Sequence, residues 1–263
     1  MAEPGKYIYC IIPCQKEHTF DVAGMGENGN MVHTVSCRGL AAVVSATAVK
    51  QYESTRSNMM AHERVLETVM KEAALLPVRF GTVAESVSSV EDIRKLLSVR
   101  FEEFQKLLQE MQGKEELGVK AFWRDEKAIF EEIVAENIDI RRLRDSIARK
   151  PPGAVHFERI RLGEMIEEAI NRKKAREAAQ ILEPLRRIAC DTRENPVLAT
   201  RIVLNAAFLV DKTREPEFDR AVTGLDGKLG KRIAIRYIGP VPAYNFVSIV
   251  VNWQEIRAAQ EIR

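Results

Sequence analysis

The sequence predicts an α+β protein with two domains, and three observations lead to this prediction. The chain has 263 residues, which exceeds the usual size of a single domain. Short runs rich in β-branched and aromatic residues alternate with longer stretches whose apolar residues recur at helical spacing. Pro151-Pro152-Gly153 then separates two helical stretches in the second half. The predicted domains are residues 1–124 and 125–263.

The first predicted domain orders as strand, strand pair, helix, strand, helix, strand. Residues 7–13 form the first strand and a loop follows. The remaining predicted elements are a hairpin of 31–37 and 40–45 around Arg38-Gly39, a helix over 57–74, a strand over 75–80, a helix over 89–112 that stops at Gly113, and a strand over 116–123. Such a series covers one face of a sheet with two helices, which predicts a two-layer sandwich related to the ferredoxin-like fold.

The second predicted domain opens with a helical hairpin. Its helices are predicted over 125–150 and 157–185, because neither can continue through the proline pair between them. A strand over 201–210, a helix over 215–225 and a strand over 231–238 follow. This order repeats the topology of residues 57–123 without repeating its sequence.

Charge and hydropathy argue against nucleic acid and membrane as partners. Forty basic residues stand against 38 acidic ones, and neither half of the chain is strongly basic. No apolar run approaches the roughly 20 residues that span a bilayer, and the N-terminus lacks a secretory signal. The expected location is therefore the cytoplasm.

Cysteine and histidine patterns predict neither a metal site nor a cofactor site. Cys10, Cys14, Cys37 and Cys190 lack the spacing of a zinc site, and we expect free, mostly buried thiols. No nucleophile elbow, zinc-protease or phosphate-loop motif is present, so an enzyme is not predicted. Adjacent helical residues diverge by about 100°, which argues against His62 and Glu63 as an acid–base pair. A hydrogen bond from His62 to the neighbouring strand is expected instead.

Arg79 lies between Val78 and Phe80 in an apolar run and allows two interpretations. A buried arginine would pair with a carboxylate, with Glu63 or Glu67 as the partner. An exposed arginine would lie on a face that binds another protein.

The tract 239–246 also allows two interpretations. Proline removes a backbone donor and presets an extended conformation, so Pro240 and Pro242 could make a rigid connector that packs aromatic residues on the core. They could equally make a stiff edge on which another protein docks. Of the two aromatic residues, Phe246 is expected in the core and Tyr244 nearer the surface.

Several of these tracts, in this order, resemble the gas vesicle protein F/L family. They are Tyr7-Ile8-Tyr9, residues 39–45, residues 62–67, residues 76–82, residues 119–123 and residues 239–246. The last tract departs from the common family pattern Gly-Pro-Trp-Pro-Pro-Tyr, because it carries Val241 and Ala243.

The resemblance implies an accessory, non-enzymatic protein of gas vesicles, the hollow protein shells that give prokaryotic cells buoyancy. It implies a minor structural component or assembly factor that binds the apolar main shell protein (GvpA-type) and other accessory proteins, in the cytoplasm and at the vesicle. It also implies a modified ferredoxin-like domain followed by an α+β domain with a helical element. Arg79, Pro240, Pro242 and Tyr244 are the partner-binding residues predicted here. The alternative is a ferredoxin-like ligand-binding protein or enzyme of unknown substrate.

Overall fold

The computed structural model describes residues 4–26, 30–85, 89–197 and 199–258. The chain forms two compact units: unit 1 comprises Met1–Glu116 and Pro240–Arg263, and unit 2 comprises Leu117–Gly239. These boundaries differ from the predicted domains, because residues 117–123 pair with strands of unit 2 and the chain returns to unit 1 at Pro240. The division into two domains at residue 124 stays a prediction.

The mixed helix and strand content confirms the predicted α+β class. The strands are β1 (Gly5–Pro13), β2 (Thr19–Ala23), β3 (Met31–Cys37), β4 (Leu40–Thr47), β5 (Leu76–Pro77), β6 (Val83–Ala84), β7 (Lys114–Trp123), β8 (Asp191–Glu194), β9 (Ile202–Asp211) and β10 (Ile233–Val241). The helices are α1 (Arg56–Met70), α2 (Ser89–Val99), α3 (Phe101–Met111), α4 (Glu126–Glu136), α5 (Ile138–Ala148), α6 (His156–Arg186), α7 (Glu215–Leu229) and α8 (Trp253–Ala258).

Unit 1 contains a sheet in the order β2-β3-β4-β1-β5, with β6 also paired to β1. The predicted hairpin is confirmed: β3 and β4 pair antiparallel from His33–Val44 to Cys37–Leu40. Arg38 and Gly39 both have positive φ, 55° and 83°, the conformation that a tight hairpin turn requires. The stretch predicted as a loop after residue 13 contains β2, which extends the sheet beyond β3.

Helices cover both faces of this sheet, whereas the sequence predicted two helices on one face. Tyr7 and Tyr9 of β1 belong to one apolar cluster with Val65 and Leu66 of α1. Ile8 alternates with them and is also fully buried, while α2 contacts β3 and β4. A strand buried on both faces carries a continuous apolar run, which accounts for residues 7–12.

Three predicted elements of unit 1 differ in extent. The helix predicted over 57–74 ends at Met70, and the strand predicted over 75–80 shortens to β5. The helix predicted over 89–112 breaks at Arg100, whose guanidinium donates to the carbonyl oxygen of Val250 at 2.9 Å. Gly113, with φ of 72°, terminates α3 as predicted.

Unit 2 contains a sheet in the order β10-β7-β9-β8, packed with α4, α6 and α7 around one apolar core. The predicted helical hairpin is confirmed, and a short 3₁₀ turn at Pro152–Ala154 lies between α5 and α6. The helix predicted over 125–150 breaks at Asn137, which has an extended backbone. Among the described residues, no helix is long and apolar enough to cross a membrane.

Candidate functional site

A groove of about 380 Å³ lies on unit 1, and the two tracts singled out in the sequence meet there. One side comes from Pro77–Phe80 and another from Tyr244 and residues 247–250. Met59, His62 and Glu63 of α1 complete the lining. The lining is largely apolar, with His62, Glu63 and Arg79 among its polar members.

Main-chain hydrogen bonds bring the two tracts together. The amide of Val78 donates to the carbonyl oxygen of Tyr9 at 3.0 Å, and the amide of Arg79 donates to that of Ile249 at 3.0 Å. Val78 and Ile249 form an isolated parallel bridge. Residues 78–79 therefore join β1 on one side to the C-terminal segment on the other.

His62 lines the groove and is hydrogen-bonded to the buried Tyr7. The Tyr7 hydroxyl accepts from the amide of Gly81 at 3.0 Å and shares a hydrogen bond with His62 Nδ1, 2.9 Å away. Burial lowers the pKa of His62 to about 4. This contact confirms the predicted hydrogen bond between His62 and a neighbouring strand, since Tyr7 lies on β1.

Arg79 is exposed at the groove, so the interpretation of a buried ion pair is wrong. Within the described ranges, no carboxylate of Glu63 or Glu67 lies within ion-pair distance of its guanidinium. The apolar neighbours Pro77 and Val78 are buried, whereas the arginine side chain turns outward. The alternative, exposure on a partner-binding face, stays a prediction.

Tyr244 is 39% exposed in the groove, while its backbone is fixed from the core. The carboxylate of Glu116, which is 3% exposed, accepts from the amide of Asn245 at 2.8 Å and from its Nδ2 at 2.6 Å. Burial raises the pKa of Glu116. Burial of the hydroxyl also raises the pKa of Tyr244, and the nearby Glu63 carboxylate adds to that effect.

The other residues of the terminal tract are distributed differently from the prediction. Phe246 is half-buried, not a core residue, and Val247 and Ile249 are buried in its place. Pro240 is exposed outside the groove lining, and Pro242 is buried. Of the four predicted partner-binding residues, the groove thus brings together Arg79 and Tyr244.

Two parts of the groove were missed by sequence reasoning. Met59, 38% exposed, and Val250, 52% exposed, contribute apolar surface. The apolar run 246–253 was noticed, but its exposed members could not be separated from its buried ones. The structure alternates buried Val247 and Ile249 with exposed Ser248 and Val250, the period of an extended chain, whereas in the sequence only Ser248 interrupts these apolar residues.

The described residues offer the groove little for catalysis or metal binding. No group of three His, Cys, Asp or Glu side chains among them is placed to hold a metal ion. The four cysteines are free, as predicted, although only Cys10 is buried. The lining offers mostly apolar surface with a few polar groups.

Comparison with known proteins identifies the family. Residues 5–248 match the model of the family described as gas vesicle synthesis protein GvpL/GvpF. The chain therefore belongs to the GvpL/GvpF family of gas vesicle proteins.

Relatives and solved structures agree with that assignment. The chain is 29% identical to gas vesicle protein F from Nostoc sp., over 93% of this chain and 98% of the relative. It is 30% identical to gas vesicle protein F from a Streptomyces species, over 86% and 92% respectively. The crystal structure of GvpF from Anabaena sp. superposes with a TM-score of 0.80 at 28% identity, covering 94% of this chain and 100% of that one. GvpF from Microcystis aeruginosa gives 0.76, also at 28% identity, covering 92% and 98%.

Proposed function

We propose that this gas vesicle protein acts as an assembly factor or minor structural component that binds the main shell protein, and that the groove of unit 1 is where it binds. The observation that supports this is the convergence of residues 77–80 and Tyr244, which come from two tracts that carry the family resemblance, on one largely apolar groove. Other accessory proteins are further partners in this proposal. Non-enzymatic action follows from the same proposal.

The physical basis is the problem that an apolar shell subunit poses before assembly. Exposed apolar surface and unpaired strand edges aggregate. A groove with partly exposed Met59, Tyr244 and Val250 can cover such a surface. Interfaces of this kind rely on a few tyrosine, tryptophan and arginine side chains, and the groove lining includes Tyr244 and Arg79.

Pull-down of co-expressed shell protein tests the proposal. We expect Tyr244→Ala and Arg79→Ala to weaken binding by about tenfold or more, as loss of an interface anchor does, with little change in melting temperature. Tyr237→Ala is the matched control for Tyr244, because Tyr237 lies in unit 2 and is 36% exposed. Arg142→Ala is the control for Arg79, since Arg142 is an exposed arginine of α5.

Two results would contradict the proposal. Undiminished capture of the shell protein by the Tyr244→Ala/Arg79→Ala double variant would exclude the groove. Normal numbers of vesicles in a strain that lacks this gene and any paralogue would exclude the assembly role itself.

A further inference from the structure

The helical hairpin of unit 2 ends in a tip that lies apart from the buried core of its own helices. Helix α5 ends at Ala148 and α6 begins at His156. The buried residues of α6 begin only at Ala169, although the helix has 31 residues. We call residues 148–161 the arm tip. Apart from Val155, its described side chains are exposed or only partly buried.

The arm tip carries a concentration of uncompensated positive charge. Its four basic side chains, Arg149, Lys150, Arg159 and Arg161, stand against the single carboxylate of Glu158. Lys150 pairs with Glu158 at 2.6 Å. Within the described part of the chain, the three arginines make no ion pair. The protein as a whole has a formal net charge of only +2, so this local excess is not a general property of its surface.

An aromatic side chain lies in the middle of this charge. Phe157 is 83% exposed, the largest exposed fraction among the large apolar side chains of the described residues, and Ile160 is 48% exposed. Three residues apart on α6, they lie on the same face of the helix. The ring of His156 contacts that of Phe157 edge-on, with centroids 5.5 Å apart, and does not cover it. A large aromatic flanked by arginines has the composition of an interface anchor.

We propose that the arm tip is a second docking surface, separate from the groove, and that it binds an acidic segment of a partner protein that carries an apolar residue. The arginines contact carboxylates of that segment, and Phe157 and Ile160 cover its apolar residue. Charge complementarity of this kind raises association rates and selects partners. The inference does not rest on the groove or on what the groove binds.

An anionic lipid surface is the other class of partner that basic charge could meet. Helices that bind membranes present a wide apolar face opposite a basic one. Here Glu164, Glu167 and Glu168 follow the tip on the same helix and are exposed. If the tip lay on a membrane, these carboxylates would be brought towards anionic headgroups and repelled by them. The structure therefore favours a protein partner.

Fluorescence anisotropy on the full chain tests the proposal. The probe is a synthetic helical peptide with leucines on one face and glutamates on the other, and the comparison peptide has lysine at every glutamate position. We expect the acidic peptide to bind with an affinity that falls as salt rises. Phe157→Ser, and Arg159→Glu with Arg161→Glu, should each weaken it by about tenfold or more. The basic peptide should not bind.

Matched variants separate this surface from the rest of the protein. Lys228→Glu with Lys231→Glu makes the same change in net charge at two exposed lysines of unit 2, and Met31→Ser removes an apolar side chain that is 64% exposed in unit 1. Both should bind like the wild type. Because the tip residues are exposed, all variants should keep the wild-type melting temperature.

Three outcomes would overturn the inference. They are absence of binding to the acidic peptide, undiminished binding by the arm-tip variants, and tighter binding to phosphatidylglycerol vesicles than to the peptide through Phe157. The last outcome would assign the tip to a lipid surface.

Discussion

The groove of unit 1 and the helical layer of unit 2 use charged side chains in opposite ways. At the groove, Arg79 is exposed without an ion pair among the described residues, and the buried polar pair beneath it, Tyr7 and His62, is neutral. In unit 2, Arg232 contacts Glu132 at 2.6 Å and Glu177 at 2.9 Å. Lys173 in turn contacts Glu132 at 2.9 Å.

The difference shows what each region uses its charges for. The network of unit 2 joins α4, α6 and the start of β10, and Glu177 also accepts from Trp123 Nε1 at 2.6 Å. Its charges are occupied within the protein and hold the helices to the sheet. The guanidinium of Arg79 is exposed, and the fold beneath it is held by aromatic packing and neutral hydrogen bonds.

Removing the centre of the network should give the largest effect. Arg232→Ala leaves the nearly buried Glu177 carboxylate without its guanidinium, which should lower the free energy of unfolding by about 3 kcal/mol, the lower end for a broken buried pair, because Arg232 is partly exposed. Urea denaturation measures this value. Arg142→Ala breaks an exposed pair with Asp139 and should cost less than about 1 kcal/mol. Equal effects of the two variants would contradict the contrast drawn above.

The two regions should also respond to acid in different pH ranges. The pKa of His62 is lowered from 6.5 to about 4, so between these values the unfolded chain binds the extra proton and stability falls as pH falls. The loss from about pH 7 to about pH 4.5 should be about 2 kcal/mol, from roughly 1.36 kcal/mol for each pKa unit. Thermal melts of the wild type and His62→Gln measure it, because the variant lacks this group.

Unit 2 should instead lose stability in a more acidic range than the one in which His62 acts. The hydrogen bond from Arg232 lowers the pKa of Glu132 to about 2 from 4.5, so its contribution is present above pH 4.5 and is lost as pH falls towards 2. Amide hydrogen exchange, measured separately for the residues of unit 1 and of unit 2, would distinguish the pH range in which each unit loses stability. If His62→Gln and the wild type lost stability equally between about pH 7 and about pH 4.5, His62 would not be the cause of the acid sensitivity of unit 1.

A smaller effect is expected from the hydroxyl beneath the groove. Tyr7→Phe removes both the acceptor of the Gly81 amide and the hydrogen-bond partner of His62 Nδ1, which should cost about 1–2 kcal/mol. Chemical denaturation again provides the measurement. In the control Tyr237→Phe, the lost hydrogen bond to Asp219 is exposed, and the cost should be smaller. A Tyr7→Phe variant as stable as the wild type would show that the groove does not depend on this hydroxyl.

The smallest effect should come from Arg79. Because its side chain is exposed, Arg79→Ala should change the free energy of unfolding by less than about 0.5 kcal/mol, in contrast to Arg232→Ala. A loss of about 3 kcal/mol, as for a buried pair, would restore the interpretation that the structure excludes. The denaturation series used for Arg232 serves here as well.

Local patterns predicted most elements but not where long helices break. The apolar spacing from residue 89 to 112 continues through Arg100, and the contact that Arg100 makes at the break is with Val250, 150 positions later in the chain, which no local pattern shows. The break at Asn137 had a possible signal, since asparagine favours helix ends. Strand β8, Asp-Thr-Arg-Glu, is an edge strand with almost no apolar residue and gives no periodic signal.

The candidate site was predicted in pieces. The sequence singled out Arg79 and Tyr244, 165 positions apart, but not that they line one groove. That relation depends on the pairing of Val78 with Ile249, and no local rule predicts a single parallel bridge. The exposure of Arg79 was likewise undecided, because the short strand-like run 75–80 does not show which face is covered.

The order of the chain has a consequence for synthesis. All of unit 2 lies between the two portions of unit 1, and Ile249 must be present before residues 78–79 gain their second backbone partner. A ribosome that has completed β1 to β6 has therefore made all six strands of this sheet but only part of the groove lining. The lining of the groove is therefore complete only after all of unit 2 has been translated.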